Sequence, residues 1–165
     1  MDTPISNKGL KALKLPHLED LAINGCEVTP EGIGHLTNLK LKSLSLAWII
    51  QDKIDEFLPK LLEMKELMFL DLRGAILTRD HLMSLTELPL NHIDLRMGVD
   101  EIKHILSNAD LLDFARAIKE KHNIDVTIHT GSVLNGLVLK LQNLKLYEVY
   151  QSYYGESYIR AISEL

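Results

Sequence analysis

Four stretches of the chain share one spacing of apolar residues. Each has Leu or Ile at offsets 0, 3 and 5 from its first residue, and the stretches begin 23 to 26 residues apart, at Leu18, Leu41, Leu67 and Leu90. The last two apolar positions are separated by a single residue, which is the period of a β-strand. The pattern therefore predicts four short strands in a repeat that buries its leucines only when neighbouring repeats stack.

The segments between these strands also follow a common pattern. Three of them open with Ser6, Thr29 or Thr78, residue types favoured at helix N-caps, and continue with apolar residues at helical spacing. Pro30 follows Thr29 at the first helical position, where proline is tolerated. The pattern predicts a helix in each of these segments, which we call return segments. Segment 1–17 is predicted to be an N-terminal capping helix.

The repeat resembles that of the leucine-rich repeat family, L-x-x-L-x-L-x-x-[NC]-x-L. Cys26 stands at offset 8 of the first repeat, and the return from Thr29 to Ile33 has the form T-x-x-G-[LI]. These features are similar to the ribonuclease-inhibitor-like and cysteine-containing classes of the family. The resemblance implies an α/β solenoid, a right-handed arc with a parallel β-sheet on its concave face and α-helices on its convex face.

The pattern loosens beyond the four repeats of 18–100. We assign 101–165 to divergent C-terminal repeats and a cap, within one continuous domain. Ser107 and Asp110 form a candidate capping box that would divide the helix predicted around them. The spacing predicts, in order, a helix over 100–122, a fifth strand over 124–128, a sixth strand over 141–149 and a closing helix over 152–165.

Composition and charge exclude several classes of function. The chain has 18 basic and 23 acidic residues, a net charge of −5 and a pI of about 5.8, which argues against the basic surface that nucleic-acid binding needs. No apolar stretch is long enough to cross a membrane, and no secretory signal opens the chain. The single cysteine can form no intramolecular disulfide. We therefore expect a cytoplasmic protein that binds neither nucleic acid nor membrane.

Residues that carry chemistry are scattered. Cys26 falls at the turn of its repeat, where a structural role is expected, and none of the seven histidines has the spacing of a zinc site. The loop Gly131–Gly136 has glycines spaced as in a phosphate-binding loop but lacks the Lys and Ser/Thr that should follow. The sequence thus predicts no catalytic residue, no metal and no cofactor, and we expect a protein that is not an enzyme.

The repeat predicts one face for binding. Offsets 2, 4, 6 and 7 should point away from the leucine core, because side chains alternate along a strand. The candidate partner-binding residues on this face are Trp48, Phe69, Asp71, Arg73, His92, Asp94, Arg96 and Met97, with Lys145 and Tyr147 from the sixth strand. Two other interpretations stay open: the aspartates and arginines could only neutralise each other across strands, and Trp48 could fold over the sheet edge as core.

The function expected from these features is non-catalytic recognition of a partner protein by the concave face. Three residues, Trp48, Phe69 and Met97, would anchor the partner by hydrophobic contact. Arg73 and Arg96 would pair with its acidic groups. Covering the active site of an enzyme would make the protein an inhibitor or regulator, as the family resemblance allows. The alternatives are a substrate-recognition adaptor and a bacterial effector delivered into a host cytosol, and we expect a monomer or weak dimer.

The tyrosines form a second feature, for which two roles stay open. All five lie between residues 147 and 158, and four of them fit one face of the predicted closing helix or its flanks. Such a helix would either cap the open end of the leucine core, as terminal repeats do, or extend the binding surface.

Overall fold

A computed structural model describes residues 5–96 and 106–129, together with the backbone of 147–151 and 157–161. Seven strands form one sheet in the order β1-β2-β3-β4-β5-β7-β6. The first five pair in parallel and in sequence, and the leucine or isoleucine at the centre of each lies opposite its counterpart. The strands are β1 Asp20–Ala22, β2 Ser43–Ser45, β3 Phe69–Asp71, β4 His92–Asp94, β5 Thr127–His129, β6 Tyr147–Gln151 and β7 Ser157–Ala161. The fold is therefore α/β with a five-stranded parallel segment, as predicted.

Helices connect the parallel strands, and each contacts the next along the chain. Those introduced by Ser6 and Thr78 carry the side-chain caps that the sequence predicts. The helix α3 has Lys53 at its N-cap and no side-chain cap, so the capping pattern does not reveal it. The helices are α1 Asn7–Ala12, α2 Pro30–Gly34, α3 Ile54–Leu61, α4 Arg79–Ser84 and α5 Asn108–His122. No helix among the described residues is long and apolar enough to cross a bilayer.

The core lies between the sheet and the helices. The central residues of β2, β3 and β4, which are Leu44, Leu70 and Ile93, are fully buried and pack with helix residues such as Phe57 and Phe114. Each buried aliphatic or aromatic side chain contributes roughly 1.5–3 kcal/mol. The residues that flank each central one lie on the opposite side of the sheet. We call that side the open face.

The helix α1 is attached to the first return segment by Asn7. Its Nδ2 donates to Thr29 Oγ1 at 2.6 Å, and its Oδ1 accepts from the Thr29 N–H at 3.0 Å. Gly32 makes room for this contact, since a Cβ there would lie 2.1 Å from Asn7 Oδ1. A helix therefore stands within 1–17 as expected, and the division of the chain at residues 17 and 100 stays a prediction.

The C-terminal part differs from the expectation. Strand β5 occupies Thr127–His129, near the end of the predicted stretch, and α5 begins after the Ser107 capping box. The closing helix predicted over 152–165 is wrong, because Ser157–Ala161 is the strand β7, which pairs antiparallel with β5 and β6. Tyr150 and Tyr158 are opposite each other in that hairpin rather than on one helix face. Residues 100–105 and 130–146 and the tyrosines at 153 and 154 lie outside the described residues.

Candidate functional site

The open face carries two rows of side chains that run across the strands. One row contains Ser43, Phe69 and His92, and the other contains Ser45, Asp71, Asp94 and His129. In the second row every one of the four residues is less than 9% exposed. Burial of two aspartates on a sheet face requires partners, because an unpaired buried carboxylate is costly.

Asn24 and Ser45 begin a network of hydrogen bonds along the second row. Ser45 Oγ lies 2.5 Å from Asn24 Oδ1 and 2.5 Å from Asp71 Oδ2, so this hydroxyl links the polar side chains of the first and third repeats. Asn24 Oδ1 also accepts from the N–H of Ala47 at 3.0 Å. The small residues of the first two repeats thus hold the carboxylate of the third.

Each of the two aspartates accepts hydrogen bonds from the arginine two residues after it. Arg73 donates from Nε and Nη2 to the Asp71 carboxylate at 3.0 and 2.7 Å, and its backbone N–H donates to Asp71 Oδ1 at 3.0 Å. Arg96 repeats this arrangement on Asp94, with Nε and Nη2 at 3.1 and 2.8 Å. Such bidentate pairs fix the guanidinium in orientation as well as in place.

The two pairs are joined at Asp94. Its Oδ2 lies 3.7 Å from Arg73 Nε and 3.4 Å from His129 Nδ1. The aspartate side chains are 4% and 6% exposed, whereas those of Arg73 and Arg96 are 31% and 25% exposed. The buried carboxylates therefore hold two arginines in positions where their side chains are partly exposed to solvent. We call the set Asn24, Ser45, Asp71, Arg73, Asp94, Arg96 and His129 the polar ladder.

The ladder fixes the protonation state of Asp71. Burial alone would raise its pKa, but hydrogen bonds from Arg73 and Ser45 outweigh that effect and the pKa is lowered. The same contact with Asp71 raises the pKa of Arg73. The ladder is thus a set of compensated charges: each aspartate pairs with the arginine of its own repeat, and the Arg73–Asp94 contact crosses between strands.

Phe69 and His92 form a stacked pair beside the ladder. Their ring centroids are 4.8 Å apart and the planes are inclined by 16°. Burial lowers the pKa of His92 despite the opposing effect of Asp94. The imidazole is therefore neutral at pH 7, and the pair presents an uncharged aromatic surface between charged neighbours.

We expect His92 to titrate below the ordinary histidine value of about 6.5, as measured by NMR of its ring protons. The folded-state pKa is lower than the unfolded one, so the unfolded state binds more protons and the free energy of unfolding falls as the pH falls below about 6.5. Phe69→Ala should move the pKa back towards the ordinary value, because it removes the stacked ring. A His92 pKa at or above the ordinary value would contradict this environment.

Trp48 stands beyond the end of β2 in an unusual conformation. Its φ is +65°, and the matching positions of the first and third repeats are Gly25 and Gly74, with φ of +63° and +79°. The ring lies on Gly74, where a Cβ would approach Trp48 Cε3 to 2.3 Å. Trp48 is nevertheless 48% exposed, so the alternative that it is part of the core is wrong.

A groove opens beside the tryptophan ring. It has a volume of about 310 Å³ and is lined by Trp48, Gln51, Asp52, Gly74 and Ile76. The lining comes from the two loops that follow β2 and β3. We call it the Trp48 groove.

The structure brings six of the predicted site residues together on neighbouring strands: Phe69, Asp71, Arg73, His92, Asp94 and Arg96. Trp48 lies next to them, because its N–H donates to the carbonyl of Arg73 at 2.8 Å. Met97 and Lys145 are outside the described residues. Tyr147 lies in β6, which overlaps the end of the sixth strand predicted over 141–149. Because β5 and β7 separate β6 from β4, Tyr147 is not among the residues that the structure brings together.

Seven residues of these surfaces are absent from the predicted set: Asn24, Ser45, Gln51, Asp52, Gly74, Ile76 and His129. Ser45 and Asn24 fall on the correct offsets but look neutral in sequence, and their importance comes from the aspartate that they contact. Aligning Ile128 with Ile93 would have placed His129 in the column of Asp94. Asp52 lies in a loop, and no repeat position marks it.

The described residues contain no group of three His, Cys, Asp or Glu side chains that could hold a metal ion. A scan against protein-family models finds no match for the chain, and a search of curated proteins finds no similar sequence. The polar ladder, the Phe69–His92 stack and the Trp48 groove are therefore the surfaces from which a function must be argued.

Proposed function

We propose that the chain is a leucine-rich-repeat solenoid that binds a partner protein through its open face, without catalysing a reaction. The in-register parallel strands, each followed by a helix that contacts the next, support this assignment. In such a solenoid the open face is the concave one, and concave faces of repeat proteins serve as extended binding surfaces.

The observation that carries the proposal is the combination on that face of two held arginines with an exposed tryptophan, Trp48, and a half-buried phenylalanine, Phe69. Arg73 and Arg96 are anchored by buried aspartates and keep a quarter or more of their side chains exposed. Trp48 and Phe69 lie beside them, and arginine and tryptophan are residues that dominate binding energies at protein interfaces. Because these side chains are already held in place, little conformational entropy is lost when a partner binds.

Arg73 has capacity left for a partner. Asp71 is bound through Nε and Nη2 of Arg73, so Nη1 can donate to a carboxylate or carbonyl group of the partner. The charges of the two Asp–Arg pairs cancel, so selectivity would rest on geometry more than on net charge. If the partner is an enzyme whose active site faces this surface, the protein acts as its inhibitor or regulator.

The variant that tests the proposal is Trp48→Gly. Glycine adopts a φ of +65° without strain, and that relief, roughly 1–2 kcal/mol, offsets the lost packing of a half-exposed ring. We expect the free energy of unfolding to change by about 1 kcal/mol or less. Affinity for a partner captured from lysate and then purified should fall by about tenfold or more.

Leu15→Ala is the matched control. Leu15 is 51% exposed, precedes β1 and lies outside the face described above. It should leave both stability and affinity unchanged. Reversing the charge of Arg73 is a poor test, because a glutamate there would join Asp71 and Asp94 and destabilise the fold. A partner that binds the wild type, Trp48→Gly and Phe69→Ala equally would contradict the proposal.

A further inference from the structure

Two strained residues line the Trp48 groove. Trp48 and Gln51 have φ of +65° and +46°, and among the described residues only Asn123 shares this property outside glycine. A bulky side chain in the left-handed region costs roughly 1–2 kcal/mol. The first and third repeats avoid this cost by placing Gly25 and Gly74 where the second has Trp48. The second repeat therefore keeps an aromatic ring at a position that suits glycine.

The strained loop is held by its neighbour. The Trp48 N–H donates to the carbonyl of Arg73 at 2.8 Å, and the Ile76 N–H donates to the carbonyl of Gln51 at 2.7 Å. Gly74 supplies the space beneath the ring. These contacts fix the tryptophan and the groove before any ligand arrives, which is the preorganisation that a binding site needs.

The lining of the groove selects the charge of its ligand. The ring offers an aromatic face, Asp52 an exposed carboxylate and Gln51 an amide, and no basic side chain contributes to the lining. An acidic ligand would be repelled by Asp52, and an apolar one would desolvate that carboxylate without pairing it. A cation on an aromatic face is attracted by the ring, and a guanidinium also matches a carboxylate in planar geometry.

We propose that the Trp48 groove binds an arginine side chain of the partner, stacked on Trp48 and paired with Asp52. This inference rests on the proposed function, since the arginine belongs to the protein that the open face recognises. It names the partner chemistry: a surface with an arginine that projects beside the region covering the polar ladder. The net charge of −5 favours the approach of a cationic side chain.

The test uses two small probes and one NMR signal. N-acetyl-arginine methylamide and its neutral isostere N-acetyl-citrulline methylamide are titrated into the full chain, and the indole N–H of the single tryptophan is followed. We expect the arginine probe to shift this signal with saturation in the millimolar range, and the citrulline probe to bind at least about fivefold more weakly.

Asp52→Asn is the decisive variant, because Asp52 is exposed and the change preserves its shape. It should weaken the arginine probe by about threefold or more, whereas Asp20→Asn, at an exposed carboxylate on β1, should have no effect. Equal binding of the two probes, or an unchanged affinity in Asp52→Asn, would overturn the proposal.

The two proposals fail separately. A captured partner that is lost by Trp48→Gly but retained at full affinity by Asp52→Asn would support the open-face function and overturn the arginine site. Binding of the arginine probe, together with a partner whose affinity falls in Asp52→Asn and on replacement of one partner arginine by glutamine, with a combined loss smaller than the sum of the two, would support both.

Discussion

Replacing Leu70 by alanine is expected to lower the free energy of unfolding by about 2–5 kcal/mol. Leu70 is the central residue of β3, is fully buried and lies between Leu44 and Ile93 on the neighbouring strands. Its removal takes apolar area out of the core and leaves a cavity that strands on both sides cannot close without losing register. Urea denaturation followed by circular dichroism measures the loss, with the slope of the transition checked for two-state behaviour.

The control for this variant is Leu15→Ala, which removes the same atoms from an exposed site. Its effect should stay within about 0.5 kcal/mol. Equal losses in the two variants would contradict the placement of Leu70 in a packed core between the sheet and the helices.

Asp94→Ala is expected to cost about 2–3 kcal/mol, less than for a fully buried ion pair because the arginines are partly hydrated. Asp94 accepts side-chain hydrogen bonds from Nε and Nη2 of Arg96 and lies near Arg73 Nε and His129 Nδ1. Removing its carboxylate leaves cationic and polar groups close together without the anion that holds them. The free energy of unfolding, measured in urea at low and high salt, reports the loss.

Asp20→Ala is the control, since Asp20 lies on the same face but is exposed. It should change stability by about 0.5 kcal/mol or less. The loss of unfolding free energy in Asp94→Asn should lie between those of Asp94→Ala and Asp20→Ala, because asparagine keeps the shape of the side chain and loses its charge. A loss in Asp94→Ala no larger than in Asp20→Ala would show that the polar ladder does not stabilise the sheet.

The first four strands could be predicted because a single constraint produces their pattern. One residue between two inward leucines is enough to define a strand, and equal spacing aligns Leu44, Leu70 and Ile93 across the sheet. The helix starts at Ser6, Thr78 and Ser107 could also be predicted from the sequence, since each depends on a local side-chain cap. Local and periodic signals thus account for the successful part of the fold prediction.

The prediction of a closing helix failed at β7, because no repeat constrains this part of the chain. Spacings of three and four among the tyrosines at 150, 153, 154 and 158 suggest a helix. Tyrosine and isoleucine nevertheless favour strands, and pairing with β5 decides the outcome. Tertiary pairing of this kind leaves little trace in a single sequence. A preference for β-forming residues over helical spacing was the signal that could have identified β7.

The sequence predicted which residues of the candidate site share a face of the sheet, but it did not predict the contacts between them. The repeated motif places Asp71 and Asp94 on one face, but only the geometry shows that each carboxylate is buried under its own arginine. The Trp48 groove could not be predicted from the sequence, because it depends on positive φ angles at Trp48 and Gln51 that these residue types do not indicate. Sequence identified the tryptophan and missed the loop residues that make it a pocket.

The position of β7 has a consequence for synthesis. The pairing edge of β5 is covered by residues 157–161, and β6 comes first along the chain but lies farther out. While the chain emerges from the ribosome, the parallel strands can assemble in order, but β5 keeps an uncovered edge until β7 has been made. An uncovered strand edge pairs readily with other chains. A ribosome that stalls before residue 157 would thus release a nascent chain prone to aggregation.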